Sequence, residues 1–139
     1  MTDQTVLTDQ EGTASPGGDR PAFVLHDHRT PRPHHDLRLQ EDGVLRSWAL
    51  PRGLPTDPRS NRLAVAVSDH DLEHLGYTDA DKAIADTGWW QLESRTDRRT
   101  VFVLHGRHGS RRYALIRTHA AGPELLLHLT ADQPRAADP

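Results

Sequence analysis

His28, His34, Asp36 and Arg38 lie in one short run, HDHRTPRPHHDLRLQ, and His70 follows in SDH. Imidazoles and a carboxylate can hold a divalent metal, and a guanidinium offers a planar fork that fits phosphate. The last three residues of the pattern H-x5-H-x-D-x-R stand at i, i+2 and i+4, which in a β-strand puts His34, Asp36 and Arg38 on one face. A single strand would then present two metal ligands and a phosphate clamp side by side. Leu37 and Leu39 take the opposite face, so the polar set needs a cavity, solvent or a metal to satisfy it.

There is no cysteine in the chain, which excludes disulfides, thiolate metal sites and zinc fingers. Two neutral imidazoles and a carboxylate make a borderline-hard site for a divalent metal, with open positions. The same ligand types serve non-haem iron oxygenases, so they leave the reaction open by themselves. Arginines in the same region tilt the site toward phosphate.

These residues need strands to position them, and strand signals outnumber helix signals. PAFVLHD, HHDLRLQ and VLRSWAL read as three strands, the last two joined by Glu41-Asp42-Gly43, whose Asp-Gly is a hairpin signal. PRGLPTDPRSN is a loop, because its prolines and glycine deny the backbone donors and regular dihedrals. RLAVAVSDH alternates, so Leu63, Val65 and Val67 share one face while Arg62 and His70 are expected together on the other. TDADKAIADTG is the one candidate short helix, with Thr78 as N-cap and Gly88 as stop, although an acidic loop fits it equally. WWQLES, TVFVLHG, RRYALIRT and ELLLHLT complete the set. Seven or eight strands with one short helix predict a mainly β fold, a compact antiparallel barrel.

At 139 residues the chain has room for one domain. Residues 1–20 and 131–139 are polar and lack periodicity, so they read as a disordered N-terminal tail and a flexible C-terminal tail around a 21–130 barrel. No apolar run approaches the roughly 20 residues needed to span a bilayer, and residues 1–20 lack the basic and apolar regions expected of a signal peptide. A cytoplasmic monomer is expected. The net charge of −3 gives no global pull toward nucleic acid, so such binding must come from a local patch. Of the 17 Lys and Arg residues all but Lys82 are arginine. Arg98, Arg99, Arg107, Arg111 and Arg112 crowd together in sequence as a candidate backbone contact or as solvated turn residues. Trp48, Trp89 and Trp90 can stack on bases, but in strands they are more often core.

Residues 23–71 resemble the 3'-phosphoesterase domain of bacterial DNA ligase D. The matching blocks are F-V-x-x-x-H, H-x-D-x-R-L, D-G-V-L-x-S-W-A, P-x-G, D-P, R-L-A-V-x-V and D-H, in order. The resemblance implies a β-barrel that removes 3'-terminal ribonucleosides and phosphates from primer ends in end-joining repair, with manganese. By position, His28, His34 and Asp36 resemble the metal ligands. Arg38, Arg62 and His70 resemble the phosphate-holding catalytic residues, and Arg52 falls where the family usually has a substrate-binding lysine. The implied partners are nucleic acid 3' ends, primer-template DNA or DNA with a terminal ribonucleotide, and a repair ligase or polymerase.

The chain also departs from that pattern. Ser68 stands where the family has Glu, and His74 stands at a position of an aromatic hydroxyl, with Tyr77 nearby. The Gly-rich segment gives way to DADKAIADTGWW, and residues 1–20 carry no match to the family's N-terminal arm. Two other readings therefore accompany the enzyme: a catalytically weakened module that docks a 3' phosphate for a repair partner, and a metal-dependent phosphodiesterase of small nucleotides.

Overall fold

A computed structural model of the protein describes residues 20–135. Of the expected tails, 1–19 and 136–139 lie outside the described residues. Eight strands follow in chain order: β1 Ala22–His28, β2 His34–Glu41, β3 Val44–Leu50, β4 Arg62–His70, β5 Lys82–Arg95, β6 Arg99–Gly106, β7 Gly109–Arg117 and β8 Glu124–Leu129. All pairings are antiparallel, in the order β1-β2-β3-β4-β8-β7-β6-β5, and β5 returns to β1 to close the barrel. Closure leaves no unpaired edge among these strands.

Every strand sends side chains to one core. Phe23 and Leu25 meet Leu37 and Leu39, Leu50, Ala64, Trp90, Phe102 and Leu104, Tyr113 and Leu115, and Leu127 and Leu129. Since Leu37 and Leu39 point inward, the period of two along β2 turns His34, Asp36 and Arg38 onto the outer wall. Asp42 and Gly43 both have positive φ, 55° and 82°, as the tight β2–β3 turn demands of the Asp-Gly pair. Trp90 joins the core and Trp48 packs against it.

Three expectations are corrected. The segment 78–88 is not a helix: its second half is the start of β5, where His28 pairs with Lys82 and Asp27 with Ala83. The ladder to β1 satisfies that backbone better than one isolated helical turn can, and a single 3-10 turn, Leu72–Gly76, is the helical element instead. The C-terminal tail begins later than residue 131, because Gln133 donates to the Arg112 and Thr130 carbonyls at 2.9 and 2.7 Å and accepts from the Arg112 amide at 2.8 Å.

The third correction concerns β4. Ser47 pairs with Val67 but Leu45 pairs with His70, so two steps on β3 face three on β4. The extra residue of this β-bulge flips the alternation. His70 joins the outer wall, while Arg62, paired with the core residue Leu127, faces inward.

Candidate metal and phosphate site

The β1–β2 ladder sets His26 opposite Asp36 and His28 opposite His34, so four polar side chains share one patch of outer wall. One ligand atom from each of His28, His34 and Asp36 lies within 4.8 Å of the others. His28 Nδ1 is 3.1 Å from one Asp36 oxygen, and His34 Nε2 is 3.2 Å from the other. Adjacent ligands of a metal with bonds near 2.1 Å stand roughly 3 Å apart, so this donor set fits a divalent ion. His34 Nδ1 lies 2.7 Å from the Arg32 carbonyl and donates its proton there, which turns the Nε2 lone pair toward Asp36.

Arg38 is the hub beside these ligands, with only 2% of its surface exposed. Its Nε donates to His26 Nδ1 at 3.3 Å, one terminal nitrogen to Ser47 Oγ at 3.0 Å, and the other to Asp36 at 3.4 Å. The nitrogen that reaches Ser47 also lies 3.1 Å from His70 Nδ1. A guanidinium only donates, so His70 Nδ1 accepts and its proton sits on Nε2. The Ser68 carbonyl is 3.1 Å from the same Nδ1, a partner for the protonated ring. Burial, and next the Arg38 charge, push His70 below the usual imidazole range. Burial dominates for His26 too, whose Nε2 donates to the Tyr77 carbonyl at 2.9 Å.

The chain from the 3-10 turn to the start of β5 covers this patch. His74 stacks on Tyr77 with ring centroids 4.6 Å apart, and lies 4.7 Å from His70 and 5.3 Å from His26. Lys82 Nζ donates to His74 Nε2 at 3.0 Å. Burial, followed by the Lys82 charge, lowers His74 to about 4, so it is a neutral acceptor. The Tyr77 hydroxyl is turned away and donates to Asp79 at 2.8 Å.

The structure thus brings His28, His34, Asp36, Arg38 and His70 together. It does not bring Arg62 to them. One Arg62 nitrogen donates to the carbonyls of Arg52 at 2.6 Å and Leu54 at 2.9 Å, tying down the loop after β3. Arg52 itself is exposed on that loop. The five downstream arginines do not form one patch either. Arg98 and Arg99 sit at one end of β6, while Arg107 follows its other end, about 23 Å away for an eight-residue strand. Arg112 is paired with Glu93 at 2.6 Å.

The sequence profile of the DNA ligase D 3'-phosphoesterase domain matches residues 26–117, which include all five converging side chains. The chain belongs to this family. It is 38% identical over 96% of its length to the multifunctional non-homologous end joining DNA repair protein LigD of Mycobacterium tuberculosis. Corresponding figures are 35% over 86% for LigD of Mycolicibacterium smegmatis and 33% over 81% for LigD of Pseudomonas aeruginosa. The chain spans about a fifth of the length of these relatives, 16 to 19%. No helix among the described residues is long and apolar enough to cross a membrane.

Within the family frame, the departures now have positions. Ser68 lies on the bulge, with its carbonyl rather than an acidic side chain beside His70. Tyr77 does not supply a hydroxyl to the site, because Asp79 holds it. Sequence reasoning missed His26, Ser47 and Lys82. The first two were legible in principle: His26 is two residues from His28 on the same strand, and Ser47 stands directly across from Arg38. Lys82 carried only the signal of being the sole lysine.

Proposed function

We propose that this protein is a metal-dependent 3'-phosphoesterase that removes a terminal ribonucleoside or phosphate from nucleic acid ends in DNA end joining. The observation that carries the proposal is the position of Arg38, which contacts Asp36 of the metal cluster on one side and His70 on the other. A phosphoryl group held between the His28, His34 and Asp36 cluster and His70 would lie across this guanidinium. His26, Ser47, His70 and Asp36 engage four of its five N–H groups and hold it oriented before substrate arrives, which leaves one N–H on the nitrogen beside Asp36 for a phosphate oxygen.

His28, His34 and Asp36 would hold manganese, which when bound polarises the phosphoryl group and lowers the pKa of a coordinated water. His70, kept neutral by burial and Arg38, offers its Nε2 proton as a hydrogen bond to the oxygen that gathers charge at the scissile bond. A 2'-hydroxyl on the terminal nucleoside is the group by which such a site tells ribose from deoxyribose. The end-joining role rests on family membership and on the names of the relatives; a ligase and a polymerase are the expected partners.

The test is release of a terminal nucleoside or phosphate from a labelled primer-template with added manganese, comparing wild type with His34→Ala and Asp36→Ala. Loss in both variants is expected, and equal release by all three proteins overturns the metal assignment. A second reading has one observation in its favour. With Ser68 in place of the acid and the Tyr77 hydroxyl engaged by Asp79, the site keeps its binding groups and lacks assisting ones. Tight manganese-dependent binding of a 3'-phosphorylated end without turnover would select that docking role.

A further inference from the structure

A site for a phosphate dianion beside a metal is expected to carry more than one cation, and sequence alternation offered Arg62 for the second. The structure turns Arg62 inward and spends its guanidinium on loop carbonyls. On the outer wall, Arg38 is partly neutralised by Asp36 at 3.4 Å.

We infer that Lys82 is the second cation of the phosphate site, reaching it beside His74 and His70. The inference rests on the reading of Arg38 and His70 as phosphate ligands. Lys82 opens β5 directly opposite His28, which places it on the same wall as the metal cluster. It is 8% exposed, unusual for a lysine unless a carboxylate pairs with it. No ion pair within 4.0 Å involves it among the described residues. Among the described residues the ammonium's one hydrogen-bond partner is the neutral His74 ring at 3.0 Å, and the Tyr77 face lies 5.4 Å from it. An ammonium has three donors, so two remain for a ligand.

The backbone around it is fixed. The Asp79 and Lys82 amides and carbonyls bond reciprocally at 3.0 and 3.3 Å, Asp79 Oδ1 accepts from the Asp81 amide at 2.8 Å, and the Asp81 carbonyl accepts from the Arg29 amide at 2.8 Å. This acidic turn occupies the place of the family's Gly-rich segment, so the replacement brings its own cation. Burial and the Arg38 charge both disfavour a further positive group here, a cost that an arriving anion removes.

Because Lys82 is the only lysine, protein labelled with carbon-13 at lysine Cε gives one side-chain resonance to follow in the full chain. Inorganic phosphate is titrated into the metal-free protein while its own phosphorus-31 signal reports binding. The Lys82 resonance is expected to move with the same saturation curve. Lys82→Met, checked for cooperative melting, should weaken phosphate at least about tenfold, whereas Arg62→Met should leave it within about twofold. Phosphate that binds while the Lys82 signal stays still, or that binds Lys82→Met as it binds wild type, overturns this inference alone. Wild type that takes up no phosphate overturns the Arg38–His70 reading together with it.

Discussion

The Arg38 guanidinium and the His70 imidazole, 32 positions apart in the chain, meet at 3.1 Å on the outer wall of the barrel. The contact exists because a bulge in β4 turns His70 out of the strand's alternation, and because β3 holds the two outer strands in register through Ser47. It fixes the His70 tautomer that leaves a proton on Nε2 for a ligand.

Ser47 is the acceptor that anchors this pair from below, 3% exposed, with its own hydroxyl donating to the Leu45 carbonyl at 3.1 Å. Ser47→Ala removes the acceptor and leaves a buried donor unmatched. The expected outcome is about 1–3 kcal/mol of lost stability in urea unfolding. Phosphate-releasing activity should fall about tenfold, equivalent to about 1.4 kcal/mol in the barrier. Unchanged activity would show that Ser47 does not orient Arg38.

Asp36 and His34 belong to one cluster but are predicted to differ in metal-free protein. The Asp36 and Arg38 side chains are 7% and 2% exposed, so Asp36→Ala strands a buried charge and should cost about 3 kcal/mol or more. His34→Ala leaves that pair intact and should cost about 1 kcal/mol or less. Both should abolish manganese binding in calorimetry. Equal stability of the two variants would deny Asp36 its second duty.

Acid should unfold the protein through its covered imidazoles. His74, at about 4 in the folded state against 6.5 unfolded, binds fewer protons folded than unfolded between those values. Stability is therefore whole above about pH 6.5 and declines as pH falls toward 4, with His26 and His70 shifted in the same direction. Melting temperatures measured across that range without metal should drop for wild type and drop less for His74→Gln. A flat profile for wild type would contradict the burial of these rings.

Arg62→Met should loosen the loop after β3 and spare the phosphate site. Gly53, at φ +79°, sits in that loop within reach of His35 and Arg62, so losing the guanidinium frees two carbonyls around a conformation few other residues adopt. Hydrogen exchange should quicken in residues 51–57, with activity reduced no more than about threefold. A collapse of activity with the loop still protected would return Arg62 to the chemistry.

Much of this was legible beforehand where the signal was local. Strict alternation in HHDLRLQ separated the core face from the face that carries His34, Asp36 and Arg38, and Asp-Gly located the hairpin. The short spacing from His28 to Asp36 leaves room only for a tight connection between neighbouring strands. What failed was nonlocal. A bulge at Ser68 has no residue-type signature, yet it decides which side His70 and Arg62 take. Lys82 is buried only because β5 pairs with β1, far away in sequence. The polar segment 78–88 carries helix-cap residues whose preferences the ladder overrides.

The two faces of β2 give the strand a parity. Within residues 34–39, Leu37 and Leu39 serve the core, while His34, Asp36 and Arg38 face the proposed metal and phosphate site. Variation along this strand should therefore sort by odd and even number. Changes at the odd positions 37 and 39 would lower the amount of folded protein and leave each folded molecule competent. Changes at even positions would chiefly leave folded molecules that have lost their ligand. Only Asp36 and Arg38, buried as well as polar, would register in both columns.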